Sequence, residues 1–142
     1  MSDAQKLAER VVAGMMAQDA FSRWLGIEIV TVAPDTSTVR MTVRPEMVNG
    51  FGVAHGGIVY SLADSALAFA SNTHGKVTVA IDNAISYPAA VNVGDVLTAT
   101  ATMVSSSRRL SFLDVSVVNQ AGATVASFKG TVYKTEKDHG TR

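Results

Sequence analysis

Residues 58–73, IVYSLADSALAFASNT, form a sixteen-residue run rich in Ala and Leu, without proline, and with Asp64 as its one charge. On a helix, Ile58, Leu62, Ala66, Phe69 and Ala70 line one side, while Val59, Tyr60, Ala63 and Leu67 fill most of the rest. A helix apolar nearly all round has no face to give to water, so it belongs at the centre of a domain with other elements around it. Gly75 is its expected stop.

The rest of the chain supplies the wrapping. Upstream, Ser2 and Gln5 have the spacing of a capping box, and Leu7, Val11, Val12, Met15 and Met16 recur at helical spacing. A short second helix follows in DAFSRWLG, with Asp19 as cap and Gly26 as stop. Residues 27–32 read as a strand, residues 33–36 as a turn, and Val39, Met41 and Val43 alternate with Arg40, Thr42 and Arg44 in a second strand that Pro45 ends. Downstream, strands are expected at 77–90, 96–104, 110–118 and 123–134, with turns at SSSRR (105–109) and NQAG (119–122). The chain reads as a single domain over 1–134, followed by a disordered tail at 135–142. Helix, two strands, long apolar helix, four strands: the expected class is α+β, a curved antiparallel sheet of about six strands around one buried helix, with an N-terminal helical segment.

Composition limits the functions available. The chain of 142 residues is 47% hydrophobic and 17% charged, with 12 basic and 12 acidic residues. Zero formal charge and no long run of one sign argue against a nucleic-acid surface. So apolar a chain is expected to have part of its surface covered by a partner, a second copy of itself being the simplest. With no cysteine, disulfides, thiolate metal sites and a cysteine nucleophile are excluded. His55, His74 and His139 are too scattered to suggest a metal site, and no metal or other cofactor is expected. The N-terminus lacks the apolar core of a signal peptide, and no apolar run reaches the ~18 residues of a membrane span. A cytoplasmic protein with no membrane partner is the default.

Asp64 sits badly in its helix unless it has work to do. Burying an unpaired carboxylate costs several kcal/mol, so it must be paired, protonated or used. Partial desolvation also raises a carboxyl pKa, which suits a general base. Just before the helix stand His55, Gly56 and Gly57. The first amides of a helix lack intrahelical partners and favour negative charge, and glycine lets a ligand approach them. The segment has neither a P-loop ending nor GxGxxG, so a carbonyl becoming an oxyanion is a better occupant than a phosphate. Ser61 and Ser65 lack a nucleophile elbow. Asn49 is first of all a turn residue beside Gly50, with an amide that could orient a water or a carbonyl; His55 is first of all a loop-holding residue. Arg108 and Arg109 read as a solvated turn or, alternatively, as a grip on a nucleotide.

From Gly57 to Asp64 is roughly 10 Å along a helix at 1.5 Å per residue. A base must come within about 3 Å of its target. If both ends serve one substrate, two antiparallel copies of the helix across a two-fold axis bring Asp64 of one subunit to Gly56 of the other. An isolated monomer would then be inactive.

The pattern N-x-x-G-x-x-H-G-G (Asn49, Gly52, His55, Gly56, Gly57) followed by Leu62-Ala63-Asp64 resembles the hotdog-fold thioesterases of the phenylacetic-acid-degradation (PaaI) type. The resemblance extends over residues 19–134, through D-x-F-x-x-x-L-G-I (Asp19 to Ile27), S-Y-P (Ser86 to Pro88) and Gly94-Asp95. It implies hydrolysis of an acyl-CoA thioester, with an aryl or arylacetyl acyl group by association. It implies Asp64 as general base or nucleophile, Gly56 as amide donor to the thioester carbonyl, Asn49 as holder of the attacking water and His55 as support for the thioester end. It also implies homodimers commonly paired into tetramers. Some members carry a Ser or Thr in the strand after the helix; here Asp82 or Asn83 stands in that region. The rival readings are a hotdog hydratase or dehydratase, and a non-catalytic acyl-CoA binding module.

Overall fold

The computed structural model describes residues 1–140. Helix α1 (Asp3–Gln18) starts at Ser2, whose hydroxyl accepts from Gln5 N–H at 3.1 Å. Only half of the expected capping box forms, because the Gln5 amide reaches away to Glu9 and to the Val32 carbonyl oxygen at 2.7 Å. Asp19 caps α2 (Ala20–Leu25) by accepting from Ser22 N–H, and Gly26 ends it with φ +78°, a conformation costly for any residue with a Cβ.

Six strands follow: β1 (Glu28–Ala33), β2 (Thr36–Thr42), β3 (Lys76–Ser86), β4 (Val96–Ser106), β5 (Leu110–Val118) and β6 (Thr124–Asp138). They form one antiparallel sheet in the order β1-β2-β4-β5-β6-β3. Between β2 and β3 runs α3 (Gly56–Asn72), with all six strands packed against it. This is the expected architecture of a buried helix wrapped by a sheet.

Small residues let the sheet come close. Ala63, Ala66 and Ala70 of α3 and Ala99 and Ala101 of β4 are fully buried, leaving room for Leu62, Leu67, Phe69, Leu97, Leu113 and Phe128 between helix and sheet. Each of the larger side chains contributes about 1.5–3 kcal/mol of transfer free energy. The helix is also anchored in its second half. Ser37 Oγ donates to the Ala66 carbonyl at 2.7 Å, and the Asn72 amide exchanges bonds with Thr78 N–H and C=O at 2.9 and 3.0 Å.

Two expected boundaries move. The third strand ends at Ser86 rather than continuing to residue 90. The tail expected to be disordered from 135 instead extends β6 through Asp138, in register with Lys76 of β3. Lys76 pairs with Asp138 at 2.7 Å, Thr135 Oγ1 donates to the Val77 carbonyl, and His139 Nε2 meets Asn72 Oδ1 at 2.7 Å. Polar residues at the exposed end of a strand carry no hydrophobic alternation, so this segment looks like a tail in sequence. Residues 141 and 142 lie outside the described residues.

The two sheet edges differ. Beside β1 lies α1, whose Gln5 ties it to Val32. Among the described residues no strand lies beside the outer edge of β3, and Val79 and Ile81 there are 48% and 58% exposed.

One interior position is set by space alone. A Cβ on Gly130 of β6 would lie 2.8 Å from both Asn83 Oδ1 and Leu67 Cδ1. Gly130→Ala is therefore expected to lower stability by about 1–3 kcal/mol through overpacking, read as a lower denaturation midpoint at unchanged m-value.

Candidate active site

The segment before α3 is a tight loop. Asn49 Oδ1 accepts from Phe51 N–H at 2.9 Å and Val53 N–H at 3.4 Å, Asn49 N–H bonds Val53 C=O, and Gly52 turns the chain at φ +81°. The Asn49 carbonyl oxygen thus shapes the loop, leaving its NH2 as the group free to meet a ligand. Phe51 at the loop tip is 92% exposed.

His55 is the N-cap of α3. Its Nδ1 accepts from Gly57 N–H at 2.9 Å, so the neutral ring carries its hydrogen on Nε2. The Gly57 amide is consequently spent on the cap and not open to substrate. Ile58 N–H bonds the His55 carbonyl, which leaves the Gly56 N–H without an acceptor among the described residues. Of the two glycines singled out in the sequence, the cap takes the Gly57 amide and leaves that of Gly56 open.

Tyr87 completes this end. Its hydroxyl donates to the Gly56 carbonyl at 2.8 Å, and its ring lies 3.2 Å from where a Gly56 Cβ would sit. Beside it an open groove of about 310 Å³ is lined by Val53, Ala54, Gly56, Val59 and residues 87–91. The Ser-Tyr-Pro strand end was visible in sequence, but nothing local assigned Tyr87 a task.

Asp64 lies two turns along the same helix, half-buried. Gly56, Tyr60 and Asp64 stand at i, i+4 and i+8, so they form one stripe, facing β3. From β3, Asn83 Nδ2 donates to Asp64 Oδ1 at 3.2 Å and to Tyr60 Oη at 2.9 Å. Burial pushes the Asp64 carboxyl above its ordinary value; the Asn83 hydrogen bond works against this, and the nearby Asp19 carboxylate adds to it. Asp19 is held there by Ser22, whose hydroxyl bonds Asp19 Oδ2 at 2.6 Å and Ser65 Oγ at 2.8 Å. Ser65 therefore joins α2 to α3.

Three expected site residues are not brought to this stripe within one chain. Asp82 faces the outer side of the sheet, in a groove with Phe112 and Lys129; in the β3–β6 ladder Asn83, opposite Gly130, is the residue that turns to the helix. Arg108 and Arg109 sit in the β4–β5 turn with His74, Lys76 and Lys134, beyond the far end of α3, and Arg109 pairs with Glu136 at 3.4 Å. A helix of 17 residues places them about 25 Å from Gly56. Among the described residues no group of three or more His, Cys, Asp or Glu is arranged to hold a metal. No helix among them is long and apolar enough to cross a membrane.

A carboxyl whose folded-state pKa is raised stabilises the fold only below its unfolded value, and that contribution is lost as pH rises through the folded pKa. At pH 7 Asp64 is therefore a liability. Asp64→Asn keeps an acceptor for Asn83 and is expected to melt higher than wild type at pH 7, an advantage that shrinks as pH falls and the wild-type carboxyl takes up its proton.

Comparison with known proteins identifies the family. Residues 51–126 match the thioesterase superfamily. The acyl-coenzyme A thioesterase PaaI of Escherichia coli is 38% identical over 84% of this chain and 86% of its own length. The structure of the E. coli PaaI protein from the phenylacetic acid degradation operon superposes with a TM-score of 0.94 at 34% identity, covering 96% of this chain and 99% of that one. A hypothetical thioesterase from Streptococcus pneumoniae, solved with coenzyme A, superposes at 0.76 with 27% identity, over 80% and 91% of the two chains. With a central helix inside a six-stranded antiparallel sheet and this breadth of similarity, the chain belongs to the thioesterase superfamily and is a thioester hydrolase of the hotdog fold.

Proposed function

We propose that the protein hydrolyses acyl-CoA thioesters at a site shared by two protomers, with arylacetyl esters the first candidates. The observation that carries this reading is the stripe on α3: an open amide at Gly56 and a desolvated carboxylate at Asp64, about 12 Å apart on one rigid helix. In the proposed step, Asp64 accepts a proton from water as its oxygen attacks the thioester carbonyl carbon. The carbonyl oxygen becomes an oxyanion bound by the Gly56 N–H of the second protomer. Collapse of the tetrahedral intermediate breaks the C–S bond, and the thiolate leaves with the proton that Asp64 took.

The open edge of β3 is the natural place for the second copy. An unpaired edge strand bearing exposed Val79 and Ile81 gains hydrogen bonds and loses apolar exposure by pairing with its symmetry mate. Asp64 is tied by Asn83 to that same strand. The same reading takes two such dimers as a tetramer working in the cytoplasm, with Asn49 NH2 and His55 Nε2–H lining the thioester end. A hydratase would place its acid and base along the acyl chain, and a binding module gains nothing from a desolvated carboxylate in an apolar helix.

Hybrid enzymes test the shared site. Asp64→Asn removes the base, with an expected loss of about 10²-fold or more in thiol release from CoA esters. Gly56→Pro removes the open N–H at the first helical position, where proline is tolerated, at the cost of a small shift of Tyr87. Co-expressed with random pairing, the two inactive chains are expected to recover about a quarter of wild-type turnover, since half the dimers are hybrids and each hybrid has one intact site. No recovery excludes the shared site; full activity in Asp64→Asn alone excludes the base.

A further inference from the structure

Between the two ends of the stripe lies Tyr60, which the chemistry above leaves unused. Its ring packs edge-on against Phe128, with centroids 5.3 Å apart and planes at 67°. Its hydroxyl accepts from Asn83 Nδ2, the same NH2 group that donates to Asp64. The other half of that amide is anomalous. Asn83 Oδ1 is buried without any hydrogen-bond partner, lying above Gly130.

Leaving a buried carbonyl oxygen unsatisfied is costly, so its orientation needs a reason. Turning the amide over would set Oδ1 against the Asp64 carboxylate, two acceptors facing each other. Asp64 thus fixes which way Asn83 points, and Asn83 in turn fixes Tyr60. Because Tyr60 Oη receives a hydrogen from Asn83, its own hydrogen must point elsewhere, and no acceptor among the described residues takes it. Asp64 Oδ2 is likewise without a partner among them.

The two N–H bonds of an amide diverge by about 120°, so acceptors near 3 Å on each lie about 5 Å apart. That is the span one water bridges with two bonds of about 2.8 Å. We propose that Tyr60 is a catalytic residue that holds the attacking water, donating its hydroxyl hydrogen to the water oxygen while Asp64 accepts a water hydrogen, with Asn83 as the positioning residue that sets their separation. Tyr60 gives up no proton in the step; the water proton passes to Asp64 and then to the departing thiolate. The proposal rests on the reading of Asp64 as base.

Tyr60→Phe removes one oxygen and keeps the ring on Phe128. Its kcat is expected to fall about tenfold or more with KM within about twofold, since the contact is to water and not to the ester. The acid limb of its pH profile is expected to stay in place, because Tyr60 makes no bond to Asp64. Asn83→Ala is expected to lower kcat and also to move the acid limb upward, because it takes away the hydrogen bond that favours the Asp64 carboxylate. Asn83→Gln, which keeps a donor but alters the separation, is expected to lose kcat with the ring contact untouched. Wild-type kcat in Tyr60→Phe, or a loss confined to KM, overturns the role of Tyr60 and leaves that of Asp64 standing. Retained hydrolysis in Asp64→Asn overturns the underlying reading instead. A melting curve on each variant separates lost chemistry from lost fold.

Discussion

A helix is a rigid rod, and this one carries two chemically opposed groups at a separation it cannot change. The free amide at Gly56 and the carboxylate at Asp64 lie eight residues apart on one face of α3. No loop motion inside a single chain closes that distance, so any chemistry using both needs a second rod. The rest of the structure serves this constraint. Six strands pack around the helix, α1 lies beside one edge of the sheet, and the other edge, on the strand that carries Asn83, has no strand beside it among the described residues.

Keeping the rod central requires close packing, and close packing is where the site gets its precision. Alanines on α3 and β4 let helix and sheet approach, and Gly130 goes further by giving its side-chain space to Asn83 and Leu67. Asn83 can therefore sit within hydrogen-bond reach of Asp64 and Tyr60 at once. A bulkier residue opposite it would push the amide off the stripe. The core and the site are in this sense one set of contacts, and positions far from any ligand constrain the chemistry.

Local signals in the sequence were read correctly where the physics is local. Ser2 and Asp19 cap their helices, Gly26 stops one, and the alternating Val39, Met41 and Val43 face the core. The apolar run fixed the architecture because an all-round apolar helix leaves few alternatives. Readings failed where a distant partner decides. Gln5 abandons its capping box for Val32, residues 135–138 become strand because Lys76 and Val77 lie opposite, and Gly57 loses its amide to His55. Choosing Asn83 over Asp82 requires the register of β3 on β6, where irregularities at Lys76/Thr78 and Ala80/Asp82 break the simple alternation of faces. Tyr60 and Tyr87 look like ordinary aromatics until β3 places Asn83 beside one and the helix start beside the other.

Four polar groups without partners among the described residues lie along the same stripe or touch it. Gly56 offers a hydrogen with no acceptor, Tyr60 offers another, Asp64 keeps one oxygen open, and Asn83 tolerates a buried orphan oxygen to hold the last two in place. Two donors and one acceptor are the complement of the reaction. A developing oxyanion takes one hydrogen, an attacking water takes the second, and the proton that the water must lose has the open carboxylate oxygen to go to.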